Sequence, residues 1–234
     1  MTDEPGFHIS IPIEPPCGRL SDVATEQILL QRLHSQERVP DNILWKLAEF
    51  YASTGRREEA RMYVERLLVQ TEDHGLRAHC YLKFGQLMEK DRNYERAIAY
   101  YRQAFSLEPL DNSTWYFINN NLGYCLNHFG GHAEAEPYCR AAIGIDPLRH
   151  NAYKNLGIAQ EGLGQIADAA RSYIKALQTE ASDPRALLHL EKMVAEHTDI
   201  VEAMPDIAHL LWGCREAVRV AAELRQNPPE RPQA

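Results

Sequence analysis

Residues 153–177, YKNLGIAQEGLGQIADAARSYIKAL, hold two short apolar runs joined by a glycine turn. Leu156 and Gly157 lie in the first run, Ala169 and Tyr173 in the second. The arrangement occurs three times upstream. A small residue follows a large one at Leu47-Ala48, Phe84-Gly85 and Leu122-Gly123, and an alanine comes 12 positions later each time, at Ala60, Ala97 and Ala135, as Ala169 does after Gly157. The copies step by 37 residues from Ala48 to Gly85, 38 to Gly123 and 34 to Gly157. A fixed internal gap with a variable step means a constant helix–turn–helix unit, with the extra residues taken up in the loops between units. The sequence therefore reads as all-α, an α-solenoid of about four helix–turn–helix repeats.

Close packing explains the small residues. Gly85, Gly123 and Gly157 would each cost about 1 kcal/mol against alanine in a free helix. Close approach to Ala97, Ala135 and Ala169 on the antiparallel partner helix is the expected compensation. Val64, Tyr101, Cys139 and Tyr173 follow the alanines by four. The turns STGRREE, KDRNYER, HFGGHAE and GLGQIAD separate the paired helices, and three of them hold a glycine suited to a left-handed helix end. Pro109 and Pro147 stop second helices, while Pro137 falls early in one and is expected to remove a hydrogen bond or bend it.

These residues resemble the tetratricopeptide-repeat family. Tyr153, Leu156, Gly157, Gly164, Ala169, Tyr173 and Ala176 carry the pattern in the fourth repeat. Phe84, Gly85, Tyr94, Ala97, Tyr101, Ala104 and Pro109 carry it in the second, and Leu47, Ala48, Tyr51, Gly55 and Ala60 in the first. Ala181 stands where the fourth repeat would have its proline, which comes late as Pro184. The resemblance spans residues 41–183, divided as 41–75, 76–111, 112–149 and 150–183.

The resemblance implies that the first helix of each repeat lines a concave groove, with the residues around the Leu-Gly pair projecting into it. Lys46, Lys83, Asn121 and Asn155 directly precede the pair. The run Asn119-Asn120-Asn121 is thus read as helix, with Asn120, Asn121 and Asn127 pointing away from the core side. The expected peptide-binding set is Lys46, Lys83, Asn120, Asn121, Tyr124, Asn127, Asn151, Lys154 and Asn155. A primary amide offers a donor and an acceptor, so it can pair with both groups of an extended peptide backbone. The chaperone-binding class of the family grips a C-terminal carboxylate with Lys, Asn and Arg. Here the lysines before the Leu-Gly pair fall in the first two repeats and no arginine lines the last, so that class is not expected.

The ends differ from the repeats. Residues 1–19 are proline-rich, and Phe7, Ile9, Ile11 and Ile13 alternate, which reads as an extended arm that dresses the first helices or inserts into a groove, its own or a partner's. Residues 20–40 read as a helix capped by Ser21 with Val23, Leu30 and Leu33 inward, and Pro40-Asp41 begins the first repeat. Residues 184–226 read as capping helices, the first begun by Asp183. In the last of them Ile207, Leu211, Cys214, Val218, Ala221 and Leu224 form the inward stripe. Trp212 lies opposite, with Arg215, Glu216, Arg219 and Glu223, and Trp212 and Arg219 are expected to mark a second contact surface. Residues 227–234 read as a mobile tail.

Composition narrows the function. A net charge of -8 with scattered basic residues argues against nucleic acid and anionic membrane as partners. No apolar run reaches the ~18 residues of a membrane span, and the N-terminus lacks a secretory pattern. Five irregularly spaced cysteines fit reduced thiols in a cytoplasm. No phosphate loop, nucleophile elbow or His-Glu-x-x-His occurs. Cys125, His128, His132 and Cys139 have a ligand-like start, but repeat register turns Cys139 into the packing and His128 toward the groove, so no metal or cofactor is expected. The expectation is a non-catalytic cytoplasmic scaffold that holds an extended peptide or a partner helix in the groove. The alternative is a structural subunit or assembly factor docking through its ends and convex face, with homo-oligomers possible in either case.

Overall fold

The computed structural model describes residues 22–34 and 39–226, which form twelve α-helices and no strand. The arm, Ser21 and the tail lie outside the described residues, as do the contacts of Val23. α1 (Asp22–His34) lies on α2 (Asp41–Ser53) through Leu29, Leu30 and Leu33. Four antiparallel pairs follow: α2 with α3 (Arg57–Gln70), α4 (His74–Lys90) with α5 (Tyr94–Ser106), α6 (Asn112–His128) with α7 (His132–Ile145), and α8 (His150–Gly162) with α9 (Ile166–Thr179). α10 (Arg185–Glu196), the single turn α11 (Ile200–Ala203) and α12 (Ile207–Gln226) close the array on α9.

Local chemistry sets the helix ends. Asp73, Asn93 and Asp111 accept the backbone N–H three residues on and start α4, α5 and α6. Gly55, Gly130 and Gly164 sit at φ 81°, 71° and 74°, ending α2, α6 and α8. The following N–H of each reaches back five residues: Arg56 to Tyr51 O at 2.9 Å, Gly131 to Leu126 O at 3.0 Å, Gln165 to Gln160 O at 2.9 Å. The second repeat makes the same turn without a glycine. Arg92 takes φ 58°, and Asn93 N donates to Met88 O at 2.8 Å. α7 runs unbroken through Pro137, which is exposed.

Gly123 comes close to Ala135 as expected, a Cβ there standing 3.4 Å from Ala135 O, but the nearest neighbour of Gly85, Gly123 and Gly157 alike is the side chain one turn beyond the alanine. A Cβ on Gly85 would stand 2.3 Å from Tyr101 Cε1, one on Gly157 2.5 Å from Tyr173 Cε1, and one on Gly123 2.4 Å from Cys139 Sγ. The alanines at 97, 135 and 169 are fully buried, but the side chain one turn further on reaches across and lies over each bare Cα. Alanine is too short to do so.

One apolar core runs through the first three repeats, with Leu44, Leu67, Leu87, Tyr101 and Leu122 at its centre. A second joins α9 to the capping helices through Tyr173, Leu177, Leu190, Met193 and Leu211. On α12, Ile207, Leu211 and Cys214 are buried and Val218 is half-buried, but Leu224 is exposed, contrary to the inward stripe read for it. The helix outruns the surface that covers its first half.

Candidate peptide-binding face

Successive first helices touch, α4 with α6 and α6 with α8. The backbones of successive second helices stand farther apart among the described residues, with α5 and α7 meeting through the side chains of Phe105 and Tyr138 and of Arg102 and Glu134. A stack with one tight row curves with that row inside, so the inner face belongs to α2, α4, α6 and α8.

Sequence places a cationic, aromatic stretch at the first end of this face. Lys83 Nζ lies 5.2 Å from the Trp45 ring centroid and 4.0 Å from Glu49 Oε1. Burial holds its pKa below the usual lysine value. Lys46, beside Trp45, is exposed.

The asparagines build a seam instead of an open ladder. Asn119 is buried and donates to Trp115 O at 2.8 Å, inside its own helix. Asn120 is buried and donates to Asn121 Oδ1 at 3.0 Å. Asn155, 2% exposed, donates to Asn120 Oδ1 at 3.1 Å. Asn127, also buried, donates to Asn155 O at 2.8 Å, and its Oδ1 lies 3.1 Å from His132 Nδ1. Asn120, Asn127 and Asn155 therefore do not project into solvent as expected; they tie α6 to α8, because a buried amide needs partners and the next repeat supplies them. Asn121 is half-buried on the rim of this seam and donates to Tyr101 Oη at 3.3 Å. Tyr101 in turn donates to Glu89 Oε2 at 2.8 Å, and burial holds that carboxyl above its ordinary pKa.

Beyond the seam the face turns cationic again. Lys154 is 6% exposed, and burial pushes its pKa down to about 8. It donates to Asn151 Oδ1 at 3.4 Å. Arg185, from α10, donates to the same oxygen at 3.3 Å and pairs with Asp183. The Arg185 guanidinium, with His150 Nε2 at 2.9 Å, holds the Asp183 carboxyl well below the usual range. Arg185 was missed in the reading of this stripe, although it follows Asn151 by the 34-residue step that separates the third and fourth repeats. Tyr124 is half-buried, and burial raises its pKa to about 12. His128 is exposed, with its ring 4.3 Å from that of Tyr94 and 4.6 Å from that of Tyr124.

Cys125 and Cys139 are buried free thiols; burial, with the Glu89 carboxylate, pushes the first far above its ordinary pKa, and chiefly burial pushes the second up to about 12. Among the described residues no group of three or more His, Cys, Asp or Glu is placed to hold a metal ion. No described helix is long and apolar enough to cross a membrane.

The tetratricopeptide-repeat pattern matches the chain twice, over residues 41–107 and 82–150. The chain is a tetratricopeptide-repeat protein. Among curated relatives of this repeat protein, trd-1 of Caenorhabditis elegans, named as tetratricopeptide repeat-containing, is 26% identical over 122 residues, 52% of this chain and 15% of its own length. Heat shock protein STI1 of Saccharomyces cerevisiae is 26% identical over 132 residues, 56% of this chain and 22% of its own. Photosystem I assembly protein Ycf3 of Acaryochloris marina is 28% identical over 105 residues, 44% of this chain and 61% of its own. The chain thus spans a minor part of the first two and about three-fifths of the third. Residues 41 to the end of MamA from Desulfovibrio magneticus RS-1 superpose with a TM-score of 0.61 at 18% identity, over 81% of this chain and 97% of that one. That likeness is one of fold.

Proposed function

We infer that this repeat protein is a non-catalytic cytoplasmic scaffold whose inner face holds an extended, acidic peptide segment of a protein partner. Tetratricopeptide-repeat proteins are protein-interaction scaffolds as a class. The observation that carries the acidic preference is the row Lys46, Lys83, Lys154 and Arg185 along the first helices and α10 of a chain whose net charge is -8. Glu49 and Asp183 pair with Lys83 and Arg185 in this row, and Glu89 and Asp111 lie beside Tyr101 and His79. Asn121 and Tyr124, both half-buried between the two cationic ends, offer polar groups to a ligand backbone. Asn120 and Asn127 act by holding α6 and α8 in register. Free buried thiols at Cys80, Cys125, Cys139 and Cys214 fit a reducing compartment.

The test is a random peptide display library panned on the full chain. Recovered clones should be enriched in Asp and Glu. They should bind Lys83→Ala/Asn121→Ala more weakly by about 1–3 kcal/mol while binding Trp212→Ala as well as wild type. Recovery of no clone, or of clones indifferent to the double variant, refutes the reading.

A further inference from the structure

Gly85 and Gly157 are each covered by a tyrosine, and one turn beyond each glycine stands a glutamate, Glu89 and Glu161. The two repeats build the same local bond. Tyr101 Oη donates to Glu89 Oε2 at 2.8 Å, and Tyr173 Oη to Glu161 Oε2 at 2.6 Å. Both carboxylates lie in the last turn of a first helix, where the helix dipole disfavours negative charge. Each therefore gains from a positive or proton-donating neighbour.

The cap supplies that neighbour to the fourth repeat. His189 of α10 precedes Leu190 as Asn121 of α6 precedes Leu122. Its Nδ1 lies 3.7 Å from Glu161 Oε2, and its ring stacks 5.2 Å from that of Tyr173. The imidazole holds the Glu161 carboxyl below its ordinary pKa. In the second repeat the same place is taken by Asn121, a neutral amide that donates to Tyr101 Oη. Burial there outweighs Tyr101 and Lys90, so the Glu89 carboxyl sits above its ordinary value. Lys90, next in the chain, is exposed, and neither it nor any other cation among the described residues forms an ion pair with Glu89.

Glu89 Oε1 is left over. No described residue donates to it, and it is open: among the described residues the sealed side-chain polar atoms without a partner are Arg61 Nε, Tyr116 Oη and Asn155 Oδ1. Tyr124 of α6 feels the same carboxylate, and Tyr94 stands beside Tyr124 with ring centroids 6.1 Å apart. Two aromatic rings beside a carboxylate with an open oxygen suit an ammonium or a guanidinium.

We propose that Glu89 Oε1 is a cation subsite of the inner face and takes one Lys or Arg side chain carried within the acidic segment. Lys83 lies before it on α4, and Lys154 and Arg185 lie in later helices, so the segment that fits is acidic on both sides of one basic residue. This subsite presupposes that the inner face is where the peptide binds.

The same random peptide display library is panned on the full wild-type chain and on full-chain Glu89→Gln. Glutamine keeps an oxygen for Tyr101, so the packing of α4 on α5 is retained. Wild-type clones should be rich in Asp and Glu and carry Lys or Arg at one fixed position. Glu89→Gln clones should keep the acids and lose the fixed cation. In a recovered clone, replacing that basic residue by Met should weaken binding to wild type about tenfold and leave binding to Glu89→Gln unchanged. Trp212→Ala is the control. Trp212 is 60% exposed on α12, which packs on α9 and α10, and nearby Arg219 is held by Glu216 and Glu223, so the clones it selects should match those of wild type. Acidic clones with no recurring cation, a cation that persists on Glu89→Gln, or an equal loss on both proteins overturns the subsite and leaves the binding face standing. Recovery of no clone on wild type removes both.

Discussion

Replacing Gly85 and Gly144 by alanine, one at a time, should shift stability in opposite directions. Both residues are helical, so the local term has the same sign in each case: alanine favours the helix by about 1 kcal/mol. Packing decides the rest. At Gly85 the new Cβ would lie 2.3 Å from Tyr101 Cε1, 2.5 Å from Cδ1 and 2.7 Å from Cζ. Carbon contacts settle at ~3.5–4.0 Å, so the ring must move by about an ångström. Tyr101 is fully buried and has no free space to enter. Moving it also strains the bond from its hydroxyl to Glu89 and the bond it accepts from Asn121. Overpacking costs about 1–3 kcal/mol, and a lost bond to a charged group about 1.5–3. After the helix gain, Gly85→Ala should destabilise by roughly 2–4 kcal/mol. At Gly144 the added methyl meets nothing, so Gly144→Ala should stabilise by roughly 0.5–1 kcal/mol.

Urea unfolding followed by far-UV circular dichroism reads both shifts. The first repeat suggests a suppressor, for it places Ala48 and Val64 where the second has Gly85 and Tyr101. Gly85→Ala/Tyr101→Val should therefore recover part of the loss. A Gly85→Ala protein as stable as wild type, or a Gly144→Ala protein less stable by more than ~1 kcal/mol, would refute the packing read from the helix pairs.

Arg92→Gly should stabilise the array by about 1 kcal/mol, because φ 58° costs a residue with a Cβ about that much; Gly130→Ala, at φ 71°, should do the reverse, and thermal midpoints moving about 2–4 °C each way would show it. Lys154 should make stability pH-dependent on the alkaline side. Below about pH 8 both states hold its proton and the fold bears the full cost of the buried charge; from there to the ordinary lysine value near 10.4 the unfolded chain binds more protons, so stability rises with pH. Lys154→Met should flatten that rise and stabilise the protein at pH 7 by roughly 2–3 kcal/mol, and an unchanged slope between pH 8 and 10 would rule Lys154 out as its source.

What the sequence could and could not disclose follows from how far each requirement reaches. The small residues at 48, 85, 123 and 157 answer to a helix a dozen residues away, so their spacing is visible in one repeat. Arg92 is equally local, standing where the other turns have Gly55, Gly130 and Gly164. The asparagines answer to a different repeat. Whether Asn120 faces water or Asn155 depends on how α6 sits against α8, and a residue type that suits either setting does not report which. Arg185 and Gly144 lie between these cases. Arg185 is one repeat step from Asn151, and Gly144 occupies the place of Val69, Ser106 and Gln178 in the other repeats, so both carry a register signal.

The amide seam also bears on how the array holds together. The two larger apolar cores are joined around α6, α7 and α8 by a small apolar cluster of Tyr116, Ala142 and Ala152 and by the amides of Asn120, Asn127 and Asn155 with His132. In a stack stabilised by nearest-neighbour interfaces, the least apolar interface sets how far the halves unfold as one. A buried amide network is worth little net when intact but costs much when one member is removed. Asn155→Ala should therefore uncouple the two halves, with the array up to α6 and the segment from α9 onward losing amide-exchange protection at separate denaturant concentrations. Exchange that stays lost in a single step would place the weak joint elsewhere.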